Sequence, residues 1–162
     1  MDGFGVRFRV DTRARFDSLA RVFAEVRSDK LAGKFRDARA WEQLIPDDTK
    51  PHFRWINQQE REEWAAVRGA VITVVPEPAE QLGGGWIFDR VFEAIEEGEF
   101  SLLTCEMVSD GVADMRIDPE AYPYGGIGPF IALAEAFGFH VLGVNEYGRY
   151  QTREELLAGR RV

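Results

Sequence analysis

The chain has 162 residues, 45% of them hydrophobic and 30% charged, the size and make-up of a single globular domain. One cysteine excludes an internal disulfide, two histidines with one cysteine exclude a zinc-finger ligand set, and no apolar run approaches the roughly 20 residues of a membrane-spanning helix. A net charge of −8 argues against general nucleic-acid binding, which needs a positive surface for phosphate contacts.

At the N-terminus, MDGFGVRFRV places acid and arginine where a signal peptide carries an apolar core, which reads as a bacterial-style cytoplasmic domain. Within it, Phe4, Val6, Phe8 and Val10 alternate with Arg7 and Arg9, the period of a strand. Asp11 or Thr12 caps a helix over 13–29, whose apolar positions Phe16, Leu19, Ala20, Phe23 and Val26 recur at helical spacing. Asp17, Arg21 and Glu25 sit four apart on its outer face, a spacing for surface ion pairs. A short helix near 36–44 precedes an irregular loop bounded by Pro46 and Pro51. Asn57 with Glu60 makes a capping box for a helix over 58–68. AVITVVP at 70–76 reads as a central strand buried on both faces.

A loop containing Pro76, Pro78 and Gly83 to Gly85 leads to an amphipathic helix over 86–97, stopped by Gly98. Segments 100–108 and 112–118 form an antiparallel hairpin. A three-residue loop, Ser109-Asp110-Gly111, pairs Met107 with Ala113, Cys105 with Met115 and Leu103 with Ile117. It thereby separates apolar from polar faces, which a two-residue loop does not. A helix over 127–137, a strand over 139–145 and a short helix capped by Thr152 with Glu155 complete the chain. The expected fold is α+β, a single domain with a mixed sheet of about five strands packed by helices.

Charge is distributed unevenly. Residues 1–40 carry a net +4, whereas 77–120 hold twelve acidic residues against two arginines. Asp89, Glu93, Glu96, Glu97 and Glu99 are the expected partner-binding residues, an acidic surface that steers a cationic protein. In the hairpin register, Glu106 faces Asp114, with Arg116 and Asp118 on the same side. Two opposed carboxylates can share a proton, bind a cation or do acid–base work, unless Arg116 neutralises them diagonally across a solvated face. Gly125, Gly126 and Gly128 lie between a strand and a helix, where backbone N–H groups can approach an anion. The phrase RIDPEAYPYGGIG followed by a helix resembles the coenzyme-A pyrophosphate loop of the general N-acetyltransferase family, which implies acyl transfer from that cofactor. It departs from the family in a helix that is too short, in a helix rather than a strand before the hairpin, and in having no Lys or Arg between Ile117 and Gly148.

Gly83-Gly84-Gly85 lacks the Gly-Lys-Ser/Thr ending of a phosphate-binding loop. His140, within the apolar strand FHVLGV, joins the candidate acid–base residues, and His52 reads as a loop surface residue. Cys105 falls on the apolar face as an inert thiol. Trp41, Phe53, Trp55, Trp64 and Trp86 could line a pocket, but at these spacings they read as core. No nucleophilic triad, metal cluster or cofactor is implied by local motifs. The leading expectation is a small, acidic, non-enzymatic interaction protein that binds a basic protein partner, similar by charge alone to inhibitors of the immunity type. The alternative is a ligand-binding protein or transferase that uses the Gly125–Gly128 loop and the Glu106/Asp114 pair.

Overall fold

The computed structural model describes residues 3–68, 85–120 and 126–158, apart from the side chains of 64, 67 and 68. The elements run β1 (Phe4–Arg9), α1 (Arg13–Ala32), α2 (Ala38–Leu44), a 3-10 turn (Lys50–His52), α3 (Gln58–Arg68), α4 (Phe88–Glu97), β2 (Phe100–Ser109), β3 (Val112–Pro119), α5 (Gly128–Ala136), β4 (His140–Glu146), β5 (Arg149–Thr152) and α6 (Arg153–Ala158). The expected strand over 70–76 lies outside the described residues. The fold is α+β, as its sequence pattern predicts.

Its sheet has the order β2-β3-β1-β4-β5. The expectation of a mixed sheet is corrected, since every described pairing within it is antiparallel. A mixed sheet follows when helices alternate with strands as crossovers. Here β1 instead takes the middle position between β3 and β4. Strand β5 was not foreseen. Glu146 pairs with Arg149, so Tyr147-Gly148 is a two-residue turn with φ of 54° and 75°. Such turns need positive φ at both positions, and a tyrosine there hides the glycine-rich signal.

One face of the sheet is apolar. Val6, Phe8, Ala113, Met115, Ile117, Val141 and Val144 are buried there. Helix α1 packs on β2, and α5 packs on β1 and β4. Helix α5 is buried on all sides except at Glu135, the mark of a helix enclosed between layers. Helix α4 covers α5 from the other side and also meets α2. Aromatic rings bind this outer layer. Trp41 stacks on Phe92 at 5.2 Å and Trp55 on Phe88 at 4.4 Å, adding to their burial.

Local signals in the sequence are realised closely. Asn57 and Glu60 exchange bonds of 2.8 and 2.9 Å, and Thr152 and Glu155 exchange bonds of 2.7 and 3.2 Å, so both capping boxes form. Thr12 caps α1 by position, with no side-chain bond to the helix. The Asp17/Arg21/Glu25 ladder is replaced by Arg13–Asp17 at 3.0 Å and a Glu25–Arg36 pair reaching across the turn after α1. The hairpin pairs Met107 with Ala113 and Cys105 with Met115, with Gly111 left-handed at φ 68°. Two bulges alter the rest. Ser109 pairs with Val112, and Leu102 takes the place opposite Ile117. Leu103 is therefore 40% exposed and Leu102 buried, a one-residue shift that exchanges the faces.

Candidate functional site

The second face of the sheet is polar and carries Arg7 and Arg9 from β1 and Asp114, Arg116 and Asp118 from β3. Glu106 lies opposite Asp114, as the register requires. On its other flank, Asp114 faces Arg7. Arg7 donates from Nε to Oδ1 and from Nη2 to Oδ2 of Asp114, both at 2.8 Å. The Asp114 side chain is only 3% exposed. These hydrogen bonds raise the Arg7 guanidinium above its ordinary pKa. Tyr150 lies over Gly143, where a Cβ would collide with its ring and hydroxyl, and burial pushes its phenol up.

Arg7, which sequence reasoning did not assign to this site, neutralises Asp114 from a directly opposite position. A carboxylate with both oxygens in an arginine fork is committed to structure. Glu106 is exposed beside it, and His140 lies opposite Arg9, two positions along β1 from Arg7.

The acidic segment is divided by the fold. Asp89 leaves the expected partner surface, because it is buried and bonded to Arg61 from Nε at 2.8 Å and from Nη2 at 3.4 Å. The physical reason is its place in the first turn of α4, which faces α3. Glu93 is half-buried. Glu96, Glu97 and Glu99 are exposed at the end of α4 and the start of β2. Asp118 from β3 and Glu120 just beyond it join them, since Ser101 pairs with Asp118 and the Glu120 N–H donates to the Glu99 carbonyl at 2.9 Å.

Lys30, from the last turn of α1, closes this group from below. Its Nζ donates to the carbonyls of Ile95 at 2.8 Å and Gly98 at 2.7 Å, and sits 4.7 Å from the Phe100 ring centre. Burial lowers its pKa, against the opposing pull of Glu120 and Glu96. A lysine bound to the carbonyl end of α4 offsets the negative helix terminus next to three glutamates.

Gly125 lies outside the described residues. Gly126 is exposed with nothing near its Cβ position, and Gly128 is buried in the first turn of α5. Cys105 is half-buried against the core, and burial raises its thiol to about 12. Trp41, Phe53 and Trp86 are buried, as expected of core residues. Among the described residues no group of three or more His, Cys, Asp or Glu is arranged to hold a metal, and no helix is long and apolar enough to cross a membrane.

A pocket is lined by His52, Trp86, Glu135 and His140; the sequence offered Trp86 as a possible lining residue but not its meeting with the other three. Its residues come from three separate segments and no local motif joins them. The other available signal was Glu135, the single acid in the apolar run from Gly128 to Phe139. No family model, curated protein or solved structure matches this chain.

Proposed function

We propose that the protein binds a basic protein partner through Glu96, Glu97, Glu99, Asp118 and Glu120. The observation that carries this reading is the assembly of five exposed carboxylates at one end of the β2–β3 hairpin. Helix α4 and two strands hold them, so little ordering is lost on binding. Exposed charges on a fixed frame act mainly on encounter, drawing a cationic surface in before contact. The Glu106/Asp114 reading is weakened by the Arg7 fork, which occupies both oxygens of Asp114.

The test begins with a partner captured from the host and purified. Its association rate is then measured at low and at high salt, with wild type and with a Glu96→Lys/Glu97→Lys/Glu99→Lys variant. The reading expects association to slow by roughly tenfold or more in the variant at low salt, and the difference to shrink as the Debye length falls toward about 3 Å at 1 M salt. Equal rates for both proteins at low salt would overturn it. So would saturable binding of acetyl-coenzyme A that is lost in Gly126→Glu, which supports the transferase alternative.

A further inference from the structure

The two edges of the sheet differ. Strand β5, at one edge, has four residues and runs directly into α6, which packs on β4 and β5. Strand β2, at the other, has ten. Helix α1 packs on it, and Arg27 donates from Nε to the Leu102 carbonyl at 2.9 Å, which occupies one backbone acceptor at its start. Beyond Leu102, among the described residues, no backbone hydrogen bond reaches 103–109 except those of the ladder with β3. Roughly 20 Å of strand edge is therefore left unpaired. Proteins commonly guard such an edge with lysine, proline or a bulge. Here the bulges are present, but the residues at them are aliphatic. The ladder shifts around positions 103 and 108, and Leu103 and Val108 are 40% and 44% exposed. A bulge re-aims a side chain, and both of these turn a large apolar group toward solvent.

We propose that the β2 edge takes an extended segment of the basic partner as an additional strand. Aliphatic side chains of that segment cover Leu103 and Val108, and its lysines or arginines lie over the carboxylates at the ends of the edge. This rests on the reading of the acidic cluster given above and adds how the partner is held. Charge selects the occupant. Glu99, Asp118 and Glu120 stand at the start of β2, Glu106 between the two bulges and Asp110 just past its end, all exposed. A basic strand meets carboxylates along this whole length, whereas two copies of this chain, each at −8, repel one another. Backbone pairing supplies affinity, and contacts to the outward side chains supply selectivity. The carboxylates then act on encounter, and Leu103 and Val108, desolvated in the complex, act on dissociation.

The probe is a synthetic peptide, acetyl-Lys-Lys-Thr-Val-Thr-Val-Thr-Val-Lys-Lys-amide, titrated into the isotope-labelled full chain at low salt and followed by nuclear magnetic resonance. Saturable shifts are expected at 103–109, with amide hydrogen exchange slowed there in the complex. Leu103→Ser/Val108→Ser is expected to weaken binding by roughly tenfold, the effect of the lost apolar burial. Both side chains are exposed, so the fold survives the change. The same peptide N-methylated along its Thr-Val run keeps every charge but has no N–H there to pair, and it is expected to leave 103–109 unmoved. Undiminished binding of the methylated peptide, unchanged affinity in Leu103→Ser/Val108→Ser, or no shift at 103–109 at the solubility limit of the parent peptide would each overturn strand addition and leave the acidic surface standing. Shifts at 103–109 with unchanged affinity in Glu96→Lys/Glu97→Lys/Glu99→Lys would instead overturn the acidic reading.

Discussion

Asp114 and the carboxylates around Glu99 belong to one acidic stretch of sequence but meet opposite fates. Asp114 sits on a strand with neighbours on both sides and is enclosed by the fork of Arg7. Glu96, Glu97, Glu99, Asp118 and Glu120 gather where strands and helix end, and all five remain exposed. A carboxylate in the middle of a sheet loses its water and must gain a partner, whereas one at the end keeps its hydration. Net charge per segment therefore overstates the surface available to a partner. Asp89, buried against Arg61, makes the same point on a helix.

The largest effect should come from breaking the enclosed pair. Arg7→Met leaves Asp114 buried and uncompensated, with an expected loss of about 3–5 kcal/mol in urea unfolding. Adding Asp114→Leu should recover most of it. A loss under about 1 kcal/mol for Arg7→Met would place Asp114 with the surface charges after all.

Next comes a pH effect on the strand that joins the two regions. Cys105 points to the core beside exposed Glu106, and its thiol is raised from 9.0 to about 12. Between those values the unfolded chain loses its thiol proton and the folded chain keeps it. This contribution is therefore complete below about pH 9 and is lost as pH rises toward 12, with an upper bound of roughly 4 kcal/mol. Cys105→Ala should flatten that part of the pH–stability curve, and parallel curves for the two proteins would contradict the burial.

Lys30→Met removes the charged donor from the end of α4 and should cost about 1.5–3 kcal/mol, read in the same unfolding assay. The lowered Lys30 pKa acts opposite in sign to Cys105. Stability should rise with pH from the folded value of Lys30 up to about 10.5, and this rise should be absent in Lys30→Met. Smallest of all, Glu97→Lys should shift stability by no more than about 0.5 kcal/mol. A loss comparable to that of Arg7→Met would mean that the exposed cluster serves the fold.

Helix positions, capping boxes and the core stripe of α1 were legible because they depend on residues within a turn or two of one another. The hairpin register was legible near its tip, where Gly111 fixes the turn. It failed at Leu103, because nothing in the local pattern marks a bulge. Of the candidate site, Glu96 and Glu97 were legible as the outer face of an amphipathic helix, and Glu99 as the acid just past its Gly98 stop. Asp118 and Glu120 joined them only through strand pairing.

The sequence by itself determined the α+β class, most element boundaries and the excess of acid in one segment, since periodicity and charge are local properties. Tertiary structure alone decided that β1 lies between β3 and β4, and so that Arg7 meets Asp114 across 107 positions. It also decided that His52, Trp86, Glu135 and His140 share one pocket. Such meetings follow from how apolar faces stack over the whole molecule, and no single stretch of chain contains that information.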